Sequence, residues 1–182
     1  MNRVDAMQST LTGDGVVLRI WRLDDRRALE VIVQRSSEAF GDWLPGVMSD
    51  LADLDDFLAR VDRASRDRSA YLYAIEAEGE VVGQCSLHHR NAGTAEVGYW
   101  VRSDRTGRGI ATGAVVVVAE AAFSAGVGEL VILCDEGNTR SASVARRAGF
   151  VHASTVDLDP TLSRTRAQTG REMCWSQRNP GG

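Results

Sequence analysis

Residues 98–111 read Gly98-Tyr-Trp-Val-Arg-Ser-Asp-Arg-Thr-Gly107-Arg-Gly109-Ile-Ala111 and place a strand, a turn with two glycines and a helix start in one short segment. The first amides of a helix lack internal hydrogen-bond partners and lie at the positive end of its dipole. Gly107 and Gly109 let the backbone approach an anion without a clash from Cβ. The segment therefore predicts an anion site, with Arg105 and Arg108 as nearby cations.

The flanking segments predict a mixed sheet. Upstream, the patterns of apolar and turn residues indicate a strand (16–21), a helix (24 to about 37), a loop (40–48), a helix from Asp50 or Asp53, and a hairpin (71–77 and 81–89) followed by a strand (95–101). Downstream they indicate a helix (110–125), a strand (130–134), a helix (138–148) and two strands (150–156 and 168–175). This order predicts an α/β (α+β) three-layer fold, with a mixed sheet of about seven strands and helices on both faces.

Length and composition favour one globular domain. The chain has 182 residues, of which 43% are hydrophobic and 25% charged, and it carries no repeat or Pro/Gly-rich linker. Such a chain buries a core without disulfide or metal staples. We expect a single domain over residues 1–176 and a disordered tail at 177–182.

Charge and cysteine content exclude several classes of function. A net charge of −4 gives no general attraction for nucleic-acid backbones or anionic membranes. Cys85, Cys134 and Cys174 show no C-x-x-C spacing, which argues against a disulfide framework or a metal site. No apolar run suits a signal peptide or approaches the ~20 residues of a membrane span, so we expect a cytoplasmic protein.

Two common nucleotide loops do not fit the glycine turn. A Rossmann loop has the full G-x-G-x-x-G near the start of a parallel unit, and a P-loop has a lysine after its last glycine. Instead, Thr106-Gly107-Arg108-Gly109-Ile110-Ala111 resembles the pyrophosphate loop of the GNAT acetyltransferase superfamily, Gln/Arg-x-x-Gly-x-Gly/Ala. Thr106 departs from the Gln/Arg of that pattern, which leaves the backbone as the main part of the cradle.

Two further stretches carry the resemblance. Residues 138–150, with Asn138, Ser141 and the closing Gly149-Phe150, look like the superfamily's Asn-x-x-Ser helix. Residues 95–100 and the Trp43-Leu-Pro45 loop resemble the ribosomal-protein N-terminal acetyltransferase branch. The resemblance covers residues 16–175.

The resemblance implies acetyl-coenzyme A (acetyl-CoA) as donor, without a metal. Strands 95–101 and 130–134 would splay apart and hold the pantetheine arm between them. The expected cofactor-binding residues are Val101, Arg105, Thr106, Gly107, Arg108, Gly109, Ile110, Ala111, Thr112, Asn138 and Ser141.

Glu96 and Ser141 are the predicted catalytic residues. Glu96 lies on the strand expected beside the thioester and would act as general base, directly or through water; the alternative is a salt bridge at the strand edge. Ser141 would donate a hydrogen bond to the coenzyme sulfur; the alternative is capping of the helix together with Asn138. Tyr99 fits an acid role or a core position equally well, so we do not assign it a catalytic role.

The acceptor is predicted to contact Trp43, Leu44, Met48 and His88. Packing over the core is the alternative for the loop residues. A structural role is the alternative for His88, whose neighbour His89 points to the opposite face of a regular strand.

The predicted function is transfer of acetyl from acetyl-CoA to a primary amine, preferably the N-terminal α-amine of a protein or peptide. A small amine such as an antibiotic or polyamine remains an alternative acceptor. A different class of function is a non-catalytic acyl-CoA-binding regulatory module. The branch resemblance favours a homodimer over a monomer.

Overall fold

The computed structural model describes residues 6–91, 93–162 and 164–181, with the backbone alone at residues 48–50. Over these ranges the strands are β1 (Thr10–Gly13), β2 (Val16–Ile20), β3 (Ala70–Ala77), β4 (Glu80–Asn91), β5 (Thr94–Val101), β6 (Glu129–Asp135), β7 (Val151–Asp157) and β8 (Arg171–Arg178). The α-helices are α1 (Arg26–Trp43), α2 (Pro45–Asp50), α3 (Leu54–Asp67), α4 (Ile110–Ser124) and α5 (Thr139–Arg147).

The strands form one mixed sheet in the order β1-β2-β3-β4-β5-β6-β8-β7. The β5–β6 pair is parallel, and the other neighbours are antiparallel. The predicted three-layer α/β fold with helices on both faces is confirmed. The sheet has one strand more than predicted, because β1 is only four residues long and carries too short a pattern to be recognised.

A tight two-residue turn joins β3 to β4. Ala77 pairs with Glu80, so Glu78 and Gly79 form a two-residue loop, and their φ angles are 54° and 79°. Two consecutive positive φ angles match the right-handed twist of the paired strands. This turn places two carboxylates, Glu78 and Glu80, beside the glycine loop that precedes α4.

Two hydrophobic cores hold the helices on the sheet. On one face, Phe40 of α1 packs edge-on against Trp100 of β5, with 5.3 Å between ring centroids. On the other face, Ala114, Val115 and Val118 of α4 are fully buried against the sheet. The valines of α4 therefore pack in the hydrophobic core, because this helix is buried on most sides.

Asp53 caps the start of α3, and it is one of the two residues, Asp50 or Asp53, from which this helix was predicted to begin. Its Oδ1 accepts hydrogen bonds from the backbone N–H groups of Asp55 (3.1 Å) and Asp56 (3.0 Å). A carboxylate at this position satisfies amides that have no partner inside the helix.

The predicted loop at 40–48 is wrong, because most of it is helical. α1 continues through Gly41 to Trp43, and α2 begins at Pro45. Glycine in a helix costs only about 1 kcal/mol relative to alanine, and proline is well suited to a first helical position. Burial of Phe40, which is 3% exposed, outweighs the glycine penalty and extends α1.

The C-terminal strand reaches beyond the predicted domain boundary at residue 176. β8 includes Gln177 and Arg178. Asn179 follows, and its Nδ2 donates to the carbonyl oxygens of Phe123 (3.1 Å) and Val127 (3.0 Å).

None of the helices in the described ranges has the length and apolar character needed to cross a membrane.

Candidate active site

The central feature of the sheet is a split between β5 and β6. Their described ladder holds only three residue pairs, from Thr94 with Glu129 to Glu96 with Val131. Beyond Glu96, β5 continues to Val101 while β6 runs separately to Asp135. A cleft of about 1600 Å³ lies along this split and extends beneath α1. It offers room for an extended ligand between two strands.

The cleft brings together most of the residues predicted from sequence. Those that line it are Trp43, Leu44, His88, Glu96, Val101, Arg105, Thr106, Gly107, Gly109, Ile110, Ala111, Thr112, Asn138 and Ser141. Arg108 is not among the lining residues and lies 3.5 Å from Glu78. The side chain of Met48 lies outside the described residues, so its predicted role stays a prediction.

The glycine loop at the start of α4 has the backbone geometry that an anion site requires. Gly107 and Gly109 have φ angles of 76° and 80°, a region that favours glycine. The first intrahelical hydrogen bond runs from Gly113 N to Gly109 O at 2.9 Å. The amides of residues 110–112 therefore precede the helical ladder and are available to an anion in the cleft.

Arg105 is bound to the neighbouring hairpin. Its Nη1 donates to Glu78 Oε2 at 2.9 Å, and its Nη2 contacts Glu80. Its Nε is buried and has no hydrogen-bond partner among the described atoms. Two carboxylates thus neutralise a side chain that the sequence predicted to add free positive charge. Arg105 fixes the loop to the β3–β4 turn, which leaves the backbone amides as the candidate anion-binding groups.

Tyr99 and Ser141 meet across the split, on the α5 side of the sheet. The Tyr99 hydroxyl lies 2.9 Å from Ser141 Oγ and 3.0 Å from Ser141 O. Asn138 Oδ1 accepts from the Ser141 backbone N–H at 3.1 Å, which is the predicted helix cap. Burial raises the pKa of Tyr99, and the bond to Ser141 only partly offsets it. Tyr99 therefore stays protonated and can act as a hydrogen-bond donor.

Glu96 lies on the other face of β5, the face that α1 covers. It pairs across strands with His88, and Arg90 Nε contacts its Oε2 at 2.8 Å. The Glu96 side chain is 30% exposed. Burial lowers the pKa of His88, although the negative charge of Glu96 acts in the opposite direction. His88 is therefore a neutral side chain beside a carboxylate in the cleft.

Glu96 and Tyr99 lie on opposite faces of β5. Glu96 and Trp100 are four residues apart on β5, and Trp100 packs on α1, so Glu96 points to the α1 side. Tyr99 is offset by an odd number of residues and contacts α5. A proton acceptor on one side and hydroxyl donors on the other suit transfer of a group held in the split between them.

Asp135 is a site residue that sequence reasoning missed. At the end of β6, its Oδ1 accepts from Gly137 N (2.8 Å) and Thr169 N (3.0 Å), and its Oδ2 accepts from Gly170 N (3.1 Å). Burial opposes ionisation, but these hydrogen bonds outweigh it and lower the pKa of Asp135. Asp135 thereby holds the β7–β8 loop at the cleft.

The β7–β8 loop also reaches the end of α1. Thr165 Oγ1 donates to the backbone oxygen of Asp42 at 2.6 Å, next to Trp43. This contact spans 123 residues of sequence, so no local pattern could have revealed it. The loop therefore closes against the C-terminal end of α1, next to the cleft-lining Trp43. Within the described residues, no group of three or more His, Cys, Asp or Glu side chains is arranged so that it could hold a metal ion.

Similarity to known proteins extends to both sequence and fold. The putative ribosomal N-acetyltransferase YdaF of Bacillus subtilis is 27% identical over 143 residues, covering 75% of this chain and 78% of YdaF. The L-methionine sulfoximine/L-methionine sulfone acetyltransferase of Pseudomonas aeruginosa is 31% identical over 103 residues, covering 54% of this chain and 60% of that protein. Mycobacterium smegmatis RimJ in complex with CoA-disulfide superposes with a TM-score of 0.79 at 23% identity, covering 93% and 85% of the two chains.

A protein-family model matches most of the chain and so identifies its family. Residues 16–151 match the model of the acetyltransferase (GNAT) domain. That range contains the glycine loop, the split between β5 and β6, and the Tyr99–Ser141 contact. The chain therefore belongs to the GNAT family and is an acetyl-CoA-dependent acetyltransferase of that type.

Proposed function

We propose that this protein acetylates a primary amine, and that the N-terminal α-amine of a protein or peptide is its preferred acceptor. The observation that carries the proposal is the placement of Glu96 on the α1 face and of Tyr99 with Ser141 on the α5 face, at the same split. The name of the relative YdaF, a putative ribosomal N-acetyltransferase, supports a protein acceptor.

The weak base available in the cleft fits an α-amine better than a lysine. An α-amino group with a pKa near 8 costs about 1 kcal/mol to deprotonate at pH 7, whereas a lysine side chain costs roughly 4 to 5 kcal/mol. Glu96 is a carboxylate already paired with Arg90. An α-amine needs less help from so weak a base than a lysine does, and Glu96 would take up its proton, directly or through water, as the C–N bond forms.

Each residue has a separate task in this proposal. The bound thioester supplies the acetyl group, and the cleft orients it beside the amine in one ternary complex. Glu96 takes the proton of the amine as the new C–N bond forms. Ser141 Oγ donates to the departing sulfur as the C–S bond breaks, while the Tyr99 hydroxyl, 2.9 Å from Ser141 Oγ, holds the serine in position. His88 lines the acceptor side as a neutral neighbour of Glu96.

An acceptor screen tests the proposal. Release of free thiol from acetyl-CoA is measured with peptides that carry a free N-terminus, and with matched peptides that are N-terminally blocked but contain lysine. We expect turnover with the free N-termini and little with the blocked set. Glu96→Gln should lower kcat/KM by about 100-fold, the lower end for loss of a general base. Glu120→Gln, the same change at an exposed carboxylate of α4 that does not line the cleft, is the matched control with unchanged turnover.

A small amine is the second candidate acceptor. The methionine sulfoximine acetyltransferase, 31% identical over 103 residues, is named for a free amino-acid analogue. Methionine sulfoximine, a polyamine and an aminoglycoside therefore belong in the same screen. Preference for one of them over peptides would contradict the protein-acceptor proposal, and acetyl-CoA binding without any turnover would favour a regulatory acyl-CoA-binding module.

A further inference from the structure

Part of the cleft extends beneath α1 into space that the proposed chemistry does not use. Phe57, Val61 and Ala64 of α3 line it, at the i, i+4 and i+7 spacing of residues on one face of a helix. Residues from the end of α1, from α2 and from β3 complete its apolar wall. We call this part of the cleft the α3 pocket, and its apolar lining is Leu44, Val47, Phe57, Val61, Ala64 and Leu72.

Small residues of the sheet form the floor of the α3 pocket. Leu72, Ser86 and Gly98 pair across β3, β4 and β5 in one row, and all three line the cleft. A Cβ atom at Gly98 would lie 3.0 Å from Ser86 Oγ and would meet no other described atom within 4 Å, apart from its chain neighbours. No side chain of α1 or α3 therefore fills the space directly above Gly98.

The floor lies next to the row of residues that contains the proposed base. His88 pairs with Glu96, and two positions along the same strands Ser86 pairs with Gly98. Residues two apart on a strand point to the same face and are about 7 Å apart. An α-amine that gives its proton to Glu96 therefore has its own side chain within reach of the α3 pocket.

The charged groups near the α3 pocket are at the protein surface. Phe57 and Val61 are 5% and 2% exposed and form a buried apolar wall. The charged residues of α1 and α3 that line the cleft are, in contrast, all exposed, and they are Arg35, Glu38, Asp42 and Arg60. The interior of the pocket therefore offers no opposite charge to a charged ligand group.

The buried polar side chains below the pocket already have partners. Trp21 Nε1 donates to Gln84 Oε1 at 2.9 Å, and Ser86 Oγ donates to the backbone oxygen of Gly98 at 3.3 Å. A charged side chain in this pocket would lose its hydration without gaining an ion pair, whereas an apolar side chain would gain free energy from burial.

Resting on the proposed function, we propose that the α3 pocket binds the side chain of the acceptor's first residue. The pocket selects a large apolar side chain, such as that of leucine or methionine, over a small or a charged one. Continuity with the cleft at Glu96 carries the placement, and the apolar wall over Gly98 carries the selectivity.

Thiol-release kinetics with peptides that differ only in their first residue test this inference. The three peptides begin with leucine, alanine or aspartate, and each has a free N-terminus. We expect kcat/KM for the leucine peptide to exceed that for each of the other two by about tenfold or more, the usual discrimination of an apolar pocket.

Ala64→Phe fills the α3 pocket from its α3 wall. It should bring the ratio of kcat/KM for the leucine peptide to that for the alanine peptide close to one. Ala59→Phe is the matched control, because Ala59 lies on the same helix, is exposed and does not line the cleft. It should keep the wild-type ratio. A ratio measured on one preparation does not depend on how much of the protein is folded, so a purely structural effect leaves it unchanged.

Three results would overturn the inference. Equal kcat/KM for the three peptides, or a preference for the alanine or aspartate peptide, would show that the pocket does not select an apolar first residue. A wild-type ratio retained in Ala64→Phe would place the selected side chain elsewhere. Absence of turnover with every free N-terminus would overturn the proposed function as well, and so differs from the first two results.

Discussion

Replacing Tyr99 with phenylalanine tests whether its hydroxyl acts through Ser141. The change removes one oxygen that lies 2.9 Å from Ser141 Oγ and 3.0 Å from Ser141 O. A net neutral hydrogen bond contributes about 0.5 to 1.5 kcal/mol, so two lost contacts should reduce the free energy of unfolding by about 1 to 3 kcal/mol. The same loss of orientation at Ser141 should lower kcat about tenfold.

A double-mutant cycle separates this role from simple structural support. If Tyr99 works only through Ser141, the Tyr99→Phe, Ser141→Ala double variant should turn over no more slowly than Ser141→Ala alone. Thiol release at saturating acetyl-CoA measures kcat, and urea unfolding measures stability. The acceptor for this assay is the peptide selected in the screen.

Tyr73→Phe provides the matched control. The Tyr73 hydroxyl also donates to a backbone oxygen, that of Gln8 at 2.8 Å, but Tyr73 is buried away from the cleft. This variant should lose comparable stability and keep its kcat. Full multiplicative loss in the double variant, or an unchanged kcat in Tyr99→Phe, would refute the coupling of the two hydroxyls.

Three other substitutions test the buried Arg19–Asp25 pair, the glycine loop and the β7–β8 loop. Asp25→Asn breaks a buried pair in which Arg19 Nη1 and Nη2 each contact a carboxylate oxygen at 2.7 Å, and urea unfolding at pH 7 should show a loss of about 3 kcal/mol. Burial opposes ionisation of Asp25, but the hydrogen bonds from Arg19 and the Arg22 backbone hold its pKa below the usual range. The pair therefore stabilises the fold at pH values above the unfolded-state pKa of Asp25. This stability is lost as the pH falls through the folded-state pKa. Gly109→Ala, at φ 80°, should cost about 1 to 2 kcal/mol in the cradle and raise the KM for acetyl-CoA, with the KM for the acceptor unchanged. Asp135→Asn should release the β7–β8 loop and raise the acceptor KM severalfold, and an increase confined to the KM for acetyl-CoA would contradict that role.

The parts of the fold that sequence predicted well depend on local interactions. The order of strands and helices, the Asp53 cap and the glycine loop each follow from residues a few positions apart. Strand alternation also predicted that His88 and His89 point to opposite faces. His88 lines the cleft, whereas His89 packs near Tyr71.

The parts that sequence missed depend on contacts between distant segments. The extension of α1 reflects packing of Phe40 on Trp100, which a glycine at position 41 obscured. Neutralisation of Arg105 requires Glu78, 27 residues away, and the Tyr99–Ser141 contact spans 42 residues. Partners at these separations depend on how the strands pair and how the helices and loops pack on them, and a single sequence gives no direct measure of either.

The most direct test of the account is the position of the acetyl group on a peptide that offers both kinds of amine. A peptide with a free N-terminus and one internal lysine is incubated with the protein and acetyl-CoA, and the product is fragmented by mass spectrometry. We expect a single acetyl group on the α-nitrogen, and its loss when Glu96 is replaced by glutamine. Acetylation confined to the lysine side chain, or product formation unaffected by Glu96→Gln, would contradict it.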